Sequence, residues 1–174
     1  MYKALKEVWQ EMISEGSPFH VTEIEVRGAP MRVYAAAPPS LREIWLASLA
    51  HGDNEYLVYE DDRWTYAKVH EDAASIANWL VSEGIKPGDR VAIAMRNYPE
   101  WLLTYWACVA SGVTVVGMNA WWIDEEMDYA IADSAPKVII CDQERLDRYH
   151  KLRAKFSETK VVGVRLSDTS DGSH

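Results

Sequence analysis

The sequence predicts an α/β fold: a mostly parallel sheet flanked by helices, with an N-terminal helix and hairpin placed in front. Three observations carry this. From residue 90 onward, four runs rich in β-branched residues alternate with helical stretches. Each run is short and almost continuously apolar, without the alternation of a strand that has one wet face, which marks strands buried on both sides. Strands joined through helices run parallel, with right-handed crossovers.

Residues 1–16 read as a helix, because Leu5, Val8, Trp9 and Met12 recur at helical spacing and Gly16 with Pro18 stops it. VTEIEVR (21–27) and MRVYA (31–35) form a hairpin around Gly28-Ala29-Pro30, and AAAPP (35–39) is a linker. Ser40-Leu41-Arg42-Glu43 is a capping box opening a helix whose inner stripe is Leu41, Ile44, Trp45, Ser48 and Leu49, ended by Gly52. YLVYE (56–60) and RWTY (63–66) flank Asp61-Asp62 as a second hairpin. Thr65 caps the next helix, whose buried face is Val69, Ala73, Ile76 and Leu80, with Gly84 at its end.

The alternating part then follows. RVAIAM (90–95) is a strand, and residues 99–111 are a helix entered at Pro99. VTVVGM (113–118) is a strand, and Asp124 caps a helix over 125–134. KVIICD (137–142), a helix over 143–155 and KVVGVRL (160–166) complete the set. The expected organisation is therefore an N-terminal helix, hairpin and linker at 1–39, an α/β subdomain at 40–166, and a flexible polar tail at 167–174.

Net charge is −9, from 27 acidic and 18 basic residues. Such a chain repels phosphate backbones and anionic membrane surfaces, so nucleic-acid binding is not expected. The stretch 101–123 carries no charge and deserves a hearing as a membrane span. Ser111-Gly112 interrupts it, Val113–Val116 favours a strand, and acidic residues flank both sides, so no transmembrane segment is expected. With no signal core in the N-terminal segment, the expected location is cytoplasmic.

Candidate chemistry is sparse. GIKPGDR (84–90) follows a helix instead of opening one, and reads as a helix-to-strand turn, not a phosphate loop. The histidines at 20, 51, 70, 150 and 174 are scattered and read as surface residues. Cys108 reads as a small core residue; Cys141 ends a strand, where a binding edge could lie, but no base partners it. Trp101, Tyr105, Trp106, Trp121 and Trp122 could line an apolar tunnel, but core and interface filling is the commoner use of such rings. Should the domain bind a small ligand alone, the strand ends near Asn97, Asn119 and Asp142 are the place for it.

The motif order over residues 64–142 resembles the N-terminal part of the adenylate-forming superfamily. The match runs through Thr65-Tyr66, Ala77 and Leu80 with Gly84, Gly88-Asp89-Arg90-Val91, and Asn97 with Pro99-Glu100. It continues through Ser111-Gly112 before the Val-rich strand, Asn119, and Asp133-Ser134. The opening VTEIEVRGAPMRVYAAAPPSLREIW looks most like bacterial fatty-acyl-CoA synthetases. Two departures stand out: Lys68 where the family usually has an acidic residue, and Gly117-Met118 where a Pro is common. The resemblance implies a parent enzyme that uses ATP, Mg²⁺ and coenzyme A to join a fatty acid or other carboxylic acid to CoA through an acyl-adenylate. The family's Ser/Thr/Gly-rich loop ending in Pro-Lys-Gly has no counterpart in these 174 residues. No catalytic, cofactor-binding or metal-ligating residue is therefore assigned. The expectation is an N-terminal fragment, inert alone, whose partner is the remainder of the synthetase. The alternative is a stand-alone, non-catalytic module that binds a ligand or forms a homodimer.

Overall fold

The computed structural model describes residues 2–167, and the chain divides into two compact units, Met1–Glu43 and Ile44–His174. The expected flexible tail lies, apart from Ser167, outside the described residues.

The first unit holds helix α1 (Tyr2–Met12) and an antiparallel hairpin of β1 (Val21–Val26) and β2 (Ala29–Tyr34). Helix α1 is shorter than the sequence suggests. The Ser14 hydroxyl donates to the Glu11 carbonyl, and Ser17 donates to that of Met12, so side chains take over the last carbonyls. The hairpin turns at Arg27-Gly28, not over Gly28-Ala29-Pro30. Both turn residues have positive φ, 53° and 81°. A two-residue turn of that hand matches the twist of the flanking strands, which lets Ala29 and Pro30 join the ladder. The helical spacing of Leu5, Val8, Trp9 and Met12 is present, but all four side chains are exposed.

Helix α2 (Leu41–Ser48) is entered at Ser40, whose hydroxyl accepts the Glu43 N–H at 3.2 Å. Of its expected inner stripe, Trp45 is buried and Ser48 half-buried, whereas Leu41, Ile44 and Leu49 are exposed. A short 3₁₀ turn (Leu49–His51) follows and stops at Gly52. Strands β3 (Glu55–Tyr59) and β4 (Asp62–Thr65) make the second hairpin. Its turn falls at Glu60-Asp61, one residue earlier than expected, because Glu60 takes positive φ.

Thr65 caps α3 (Tyr66–Ser82) by accepting the Lys68 N–H at 3.1 Å. Val69, Ala73 and Leu80 are buried and Ile76 half-buried, as the period demanded. Lys68, the departure from the family pattern, pairs with Asp72 at 2.7 Å and Glu71 at 3.3 Å. Gly84 lets the chain reverse with φ 80°, and the Ile85 N–H closes on the Leu80 carbonyl.

The four-stranded parallel sheet contains β5 (Arg90–Ala94), β6 (Thr114–Gly117), β7 (Val138–Asp142) and β8 (Lys160–Val164), in the spatial order β6-β5-β7-β8. Helix α4 (Pro99–Ser111) links β5 to β6, α5 (Asp124–Ser134) links β6 to β7, and α6 (Gln143–Leu152) links β7 to β8. The uncharged stretch is thus a helix, a left-handed turn at Gly112 (φ 69°) and a strand. Among the described residues no helix is long and apolar enough to cross a membrane. Helix α5 starts one residue early. Asp124 is its first residue, and the Ile123 N–H is taken by the Glu126 carboxylate at 2.9 Å, so the acid that closes this end sits inside the first turn. Helix α6 stops at Leu152, three residues short of the expected end.

Alternate residues of the central strands point to opposite faces. Val91, Ile93, Val138 and Ile140 pack with Leu80 of α3 and Cys108 of α4. Ala92, Ala94, Ile139 and Cys141 pack with Met127 and Ile131 of α5 and Leu146 and Tyr149 of α6. The chain moves one way from β5 to β6, then crosses back over β5 to β7. Crossovers of one hand then require α4 on one face and α5 and α6 on the other. A third cluster, centred on Trp45, Val69, Ala73 and Leu103, joins α2, α3 and α4.

Candidate functional site

A reversal of strand order opens a crevice beyond the carboxyl ends of the two strands where it occurs. Here those strands are β5 and β7, ending at Ala94 and Asp142. A cavity of about 550 Å³ lies at this point, lined by Arg96 and Asn97 after β5, Asp142 and the start of α6, Arg165 after β8, and Tyr59 and Tyr98.

Asp142 organises the floor. It is the N-cap of α6 and is 4% exposed. One carboxylate oxygen accepts the Arg145 N–H at 3.1 Å, and the other accepts the Arg96 N–H at 3.0 Å. The Arg145 guanidinium, 3% exposed, pairs with the same carboxylate at 3.2 Å and donates through Nε to the Ala120 carbonyl at 2.8 Å. One buried ion pair therefore holds together the ends of β5 and β7, the loop after β6 and the first turn of α6.

Arg165 forms the wall. Its Nε lies 3.0 Å from both carboxylate oxygens of Glu100, and its guanidinium sits 4.7 Å from the ring centres of Tyr59 and Tyr98. Hydrogen bonding to Glu100 raises the Arg165 pKa further above its ordinary value, so it stays charged throughout. Arg96 differs. Its guanidinium stacks 4.1 Å over the ring of Trp121 and, among the described residues, pairs with no carboxylate.

Of the three strand-end residues singled out in the sequence, Asn97 and Asp142 line this crevice. Asn119 does not: its side-chain oxygen accepts the Trp121 N–H at 2.9 Å, which shapes its own loop. Cys141 provides no binding edge. It is fully buried, and burial pushes its thiol up to about 12, as it does for Cys108. Neither thiol forms the thiolate needed for nucleophilic work at neutral pH.

The aromatic residues mostly fill core. Trp101 and Tyr105 stack on each other and pack against the α3–α4 face, and Trp122 packs on the opposite face. Trp106 stacks on Trp45 and donates to the Tyr56 hydroxyl at 2.7 Å. Trp121, 68% exposed, remains beside Arg96. His70 is not a surface residue; it is half-buried, stacks on Trp45 at 3.5 Å, and its Nε2 lies 3.0 Å from the Ser48 hydroxyl.

The arginines and tyrosines around the crevice escaped the sequence reading. Arg145, three residues after a cap, carried a signal. Arg165 and Glu100, 65 positions apart, carried none.

The AMP-binding enzyme family matches residues 46–173, which includes every element from β3 to β8. The chain belongs to this family. Feruloyl-CoA synthase from Amycolatopsis sp is 38% identical over 90 residues, covering 52% of this chain and 18% of that protein. Crotonobetaine/carnitine–CoA ligase from Salmonella typhimurium is 28% identical over 146 residues, covering 78% of this chain and 28% of that protein. The ATP-bound structure of MatB from Rhodopseudomonas palustris superposes with a TM-score of 0.63 at 29% identity, over 71% of this chain and 25% of that one. The chain thus spans less than a third of the curated relatives it matches, and these relatives are CoA ligases.

The residues present do not compose the family's phosphate loop. The sequence contains no Pro-Lys-Gly, and its one Pro-Lys pair, Pro136-Lys137, runs directly into β7. Among the described residues no three His, Cys, Asp or Glu side chains converge as a metal-binding group. No reaction step is assigned to this chain.

Proposed function

We propose that this chain is the N-terminal α/β segment of a cytoplasmic, ATP-dependent acid–CoA ligase. The observation that carries this is the family match from residue 46 onward, laid over a doubly wound sheet. In the whole enzyme a carboxylate would attack the α-phosphate of Mg·ATP, giving an acyl-adenylate and pyrophosphate. The thiol of coenzyme A would then displace AMP. The charge on the phosphates demands backbone N–H groups, a lysine and Mg²⁺ around them, and this segment supplies no such set. Its part is structural: it carries the first sheet on which the remainder of the synthetase builds. Fatty acids are the first substrate class to test. Aromatic acids are the second, supported by the likeness to feruloyl-CoA synthase. The purified 174-residue chain, given ATP, Mg²⁺ and a fatty or aromatic acid, is expected to release no pyrophosphate above the rate in buffer. Release that depends on the acid would overturn the reading.

A second reading is a self-associating module. Its support is the apolar stripe Leu5, Val8, Trp9 and Met12, exposed along one side of α1. Pairing with a second copy about a two-fold axis would cover that stripe. Light scattering at micromolar concentration should then give twice the monomer mass, and Trp9→Glu should restore the monomer. A monomeric parent chain would end this reading.

A further inference from the structure

The parallel sheet ends at β6 without a guard. The N–H groups of Thr114 and Met118 donate to the Asp89 and Ile93 carbonyls, at 2.8 and 3.0 Å, so this set of alternate residues faces β5. The N–H and C=O groups of Val115 and Gly117 therefore point away from the sheet. No other strand pairs with β6 among the described residues. Sheet edges are ordinarily blunted by a lysine, a proline or a bulge, and Thr114–Gly117 has none of these.

Helix α5 lies alongside this edge. A groove of about 520 Å³ is lined by both, with Val116, Trp122 and Ala130 as its apolar part. Glu125, Tyr129 and Asp133 recur at i, i+4 and i+8, a single stripe of α5, and all three line the groove. The other acids of the helix are engaged: Asp124 pairs with Lys151, Asp128 with Lys155, and Glu126 takes the Ile123 N–H. Glu125 and Asp133 hold no cation among the described residues, and no basic side chain lines the groove.

Charge decides between occupants. A two-fold axis pairing two β6 edges antiparallel would set the α5 stripe against its own copy, and like charges oppose that. A strand with basic side chains meets no such conflict. Val115 and Val116 pack on opposite faces of the sheet. In an added strand, alternate side chains would do the same. Basic ones on the α5 side would lay their methylene stems along Val116 and Tyr129, with their charges at Glu125 and Asp133. Apolar ones would lie beside Val115.

We propose that β6 and α5 form a docking edge for an extended segment of another polypeptide, in which lysine or arginine alternates with apolar residues. The segment adds to the sheet as a further strand beyond β6. This goes beyond the ligase reading and does not rest on it.

The probe is a fluorescein-labelled peptide of about six residues, alternating valine with lysine, titrated into the purified chain at constant ionic strength. Saturable binding is expected, with slowed amide exchange at Val115 and Gly117. Affinity should fall about tenfold or more in Glu125→Lys with Asp133→Lys. It should fall as far for one of the two peptides N-methylated on alternate residues, since only one edge of the added strand meets β6. The charge-matched control on β1, Glu23→Lys with Glu25→Lys, should bind as the parent chain does. Four results would overturn the proposal: no saturable binding, an equal loss in the β1 control, both methylated peptides bound as tightly as the unmethylated one, or a valine–glutamate peptide bound equally well. Protection of Val115 and Gly117 that grows with chain concentration in the absence of peptide would give the edge to a second copy, and would overturn it too. Glu125 and Asp133 are exposed, so their double variant should unfold at about the same urea concentration as the parent chain. The methylated peptides test the added strand on the unaltered chain.

Discussion

Replacing Asp142 with alanine is expected to destabilise the α/β unit by about 3–5 kcal/mol, because it strands a buried guanidinium. A domain of this size has only about 5–15 kcal/mol in hand, so the variant should be close to unfolding at room temperature. The carboxylate takes the Arg96 N–H, the Arg145 N–H and the Arg145 guanidinium, all within 3.3 Å. Without it, Arg145 keeps Glu144, whose side chain is 56% exposed and therefore screened, and the Ala120 carbonyl. Asp142→Asn separates charge from geometry. It keeps one acceptor oxygen and should cost less, about 1–3 kcal/mol. The double replacement Asp142→Ala with Arg145→Met removes both charges and should be more stable than Asp142→Ala alone. Urea denaturation of the four proteins measures all of this. A loss under about 1 kcal/mol in Asp142→Ala would mean that the pair does not hold the strand ends together.

Much of this architecture could be read from the sequence, and the reasons are local. Helix α4 is bounded by Pro99, which suits a first helical turn, and Gly112, which can turn left-handed, so both ends were visible. The face of α3 followed from a period that only one helical stripe satisfies, and Thr65 announced its cap. The two hairpin turns moved because Arg27 and Glu60 adopt positive φ, a conformation that residue type does not advertise outside glycine, asparagine and aspartate. The stripes of α1 and α2 show a different gap. Periodicity names the apolar side of a helix but not whether anything covers it, and most of these side chains are exposed. At the crevice, Asp142 and Asn97 were legible because strand ends in such folds converge. The arginines were not, since their meeting depends on strand order: β8 lies beside β7, which brings Arg165 to the rim.

Trp45→Ala should be the other costly substitution, losing about 3–5 kcal/mol, while Trp121→Ala should lose under about 0.5 kcal/mol. Composition cannot tell these two tryptophans apart; packing does. Trp45 is 3% exposed and lies flat between His70, at 3.5 Å and 6°, and Trp106, at 4.6 Å and 10°. Its removal leaves a cavity bounded by helices α3 and α4 and by Tyr56, which relaxation can fill only in part. Trp121 meets solvent on most of its surface. The same stack gives the Trp45 effect a dependence on pH. Burial lowers the His70 pKa below its ordinary value, so the folded state binds the proton less readily than the unfolded chain. Above about pH 6.5 the imidazole is neutral in the unfolded chain too, and the stack contributes in full. As pH falls below that point the unfolded chain binds the proton first, and this contribution shrinks until the folded imidazole titrates as well. In Trp45→Ala the imidazole is better solvated and its pKa returns toward the ordinary value. The stability gap between parent and variant should therefore narrow as urea denaturation is repeated from pH 7 down to pH 5. A gap that is constant or widens over that range would mean that His70 is not neutralised by the stack.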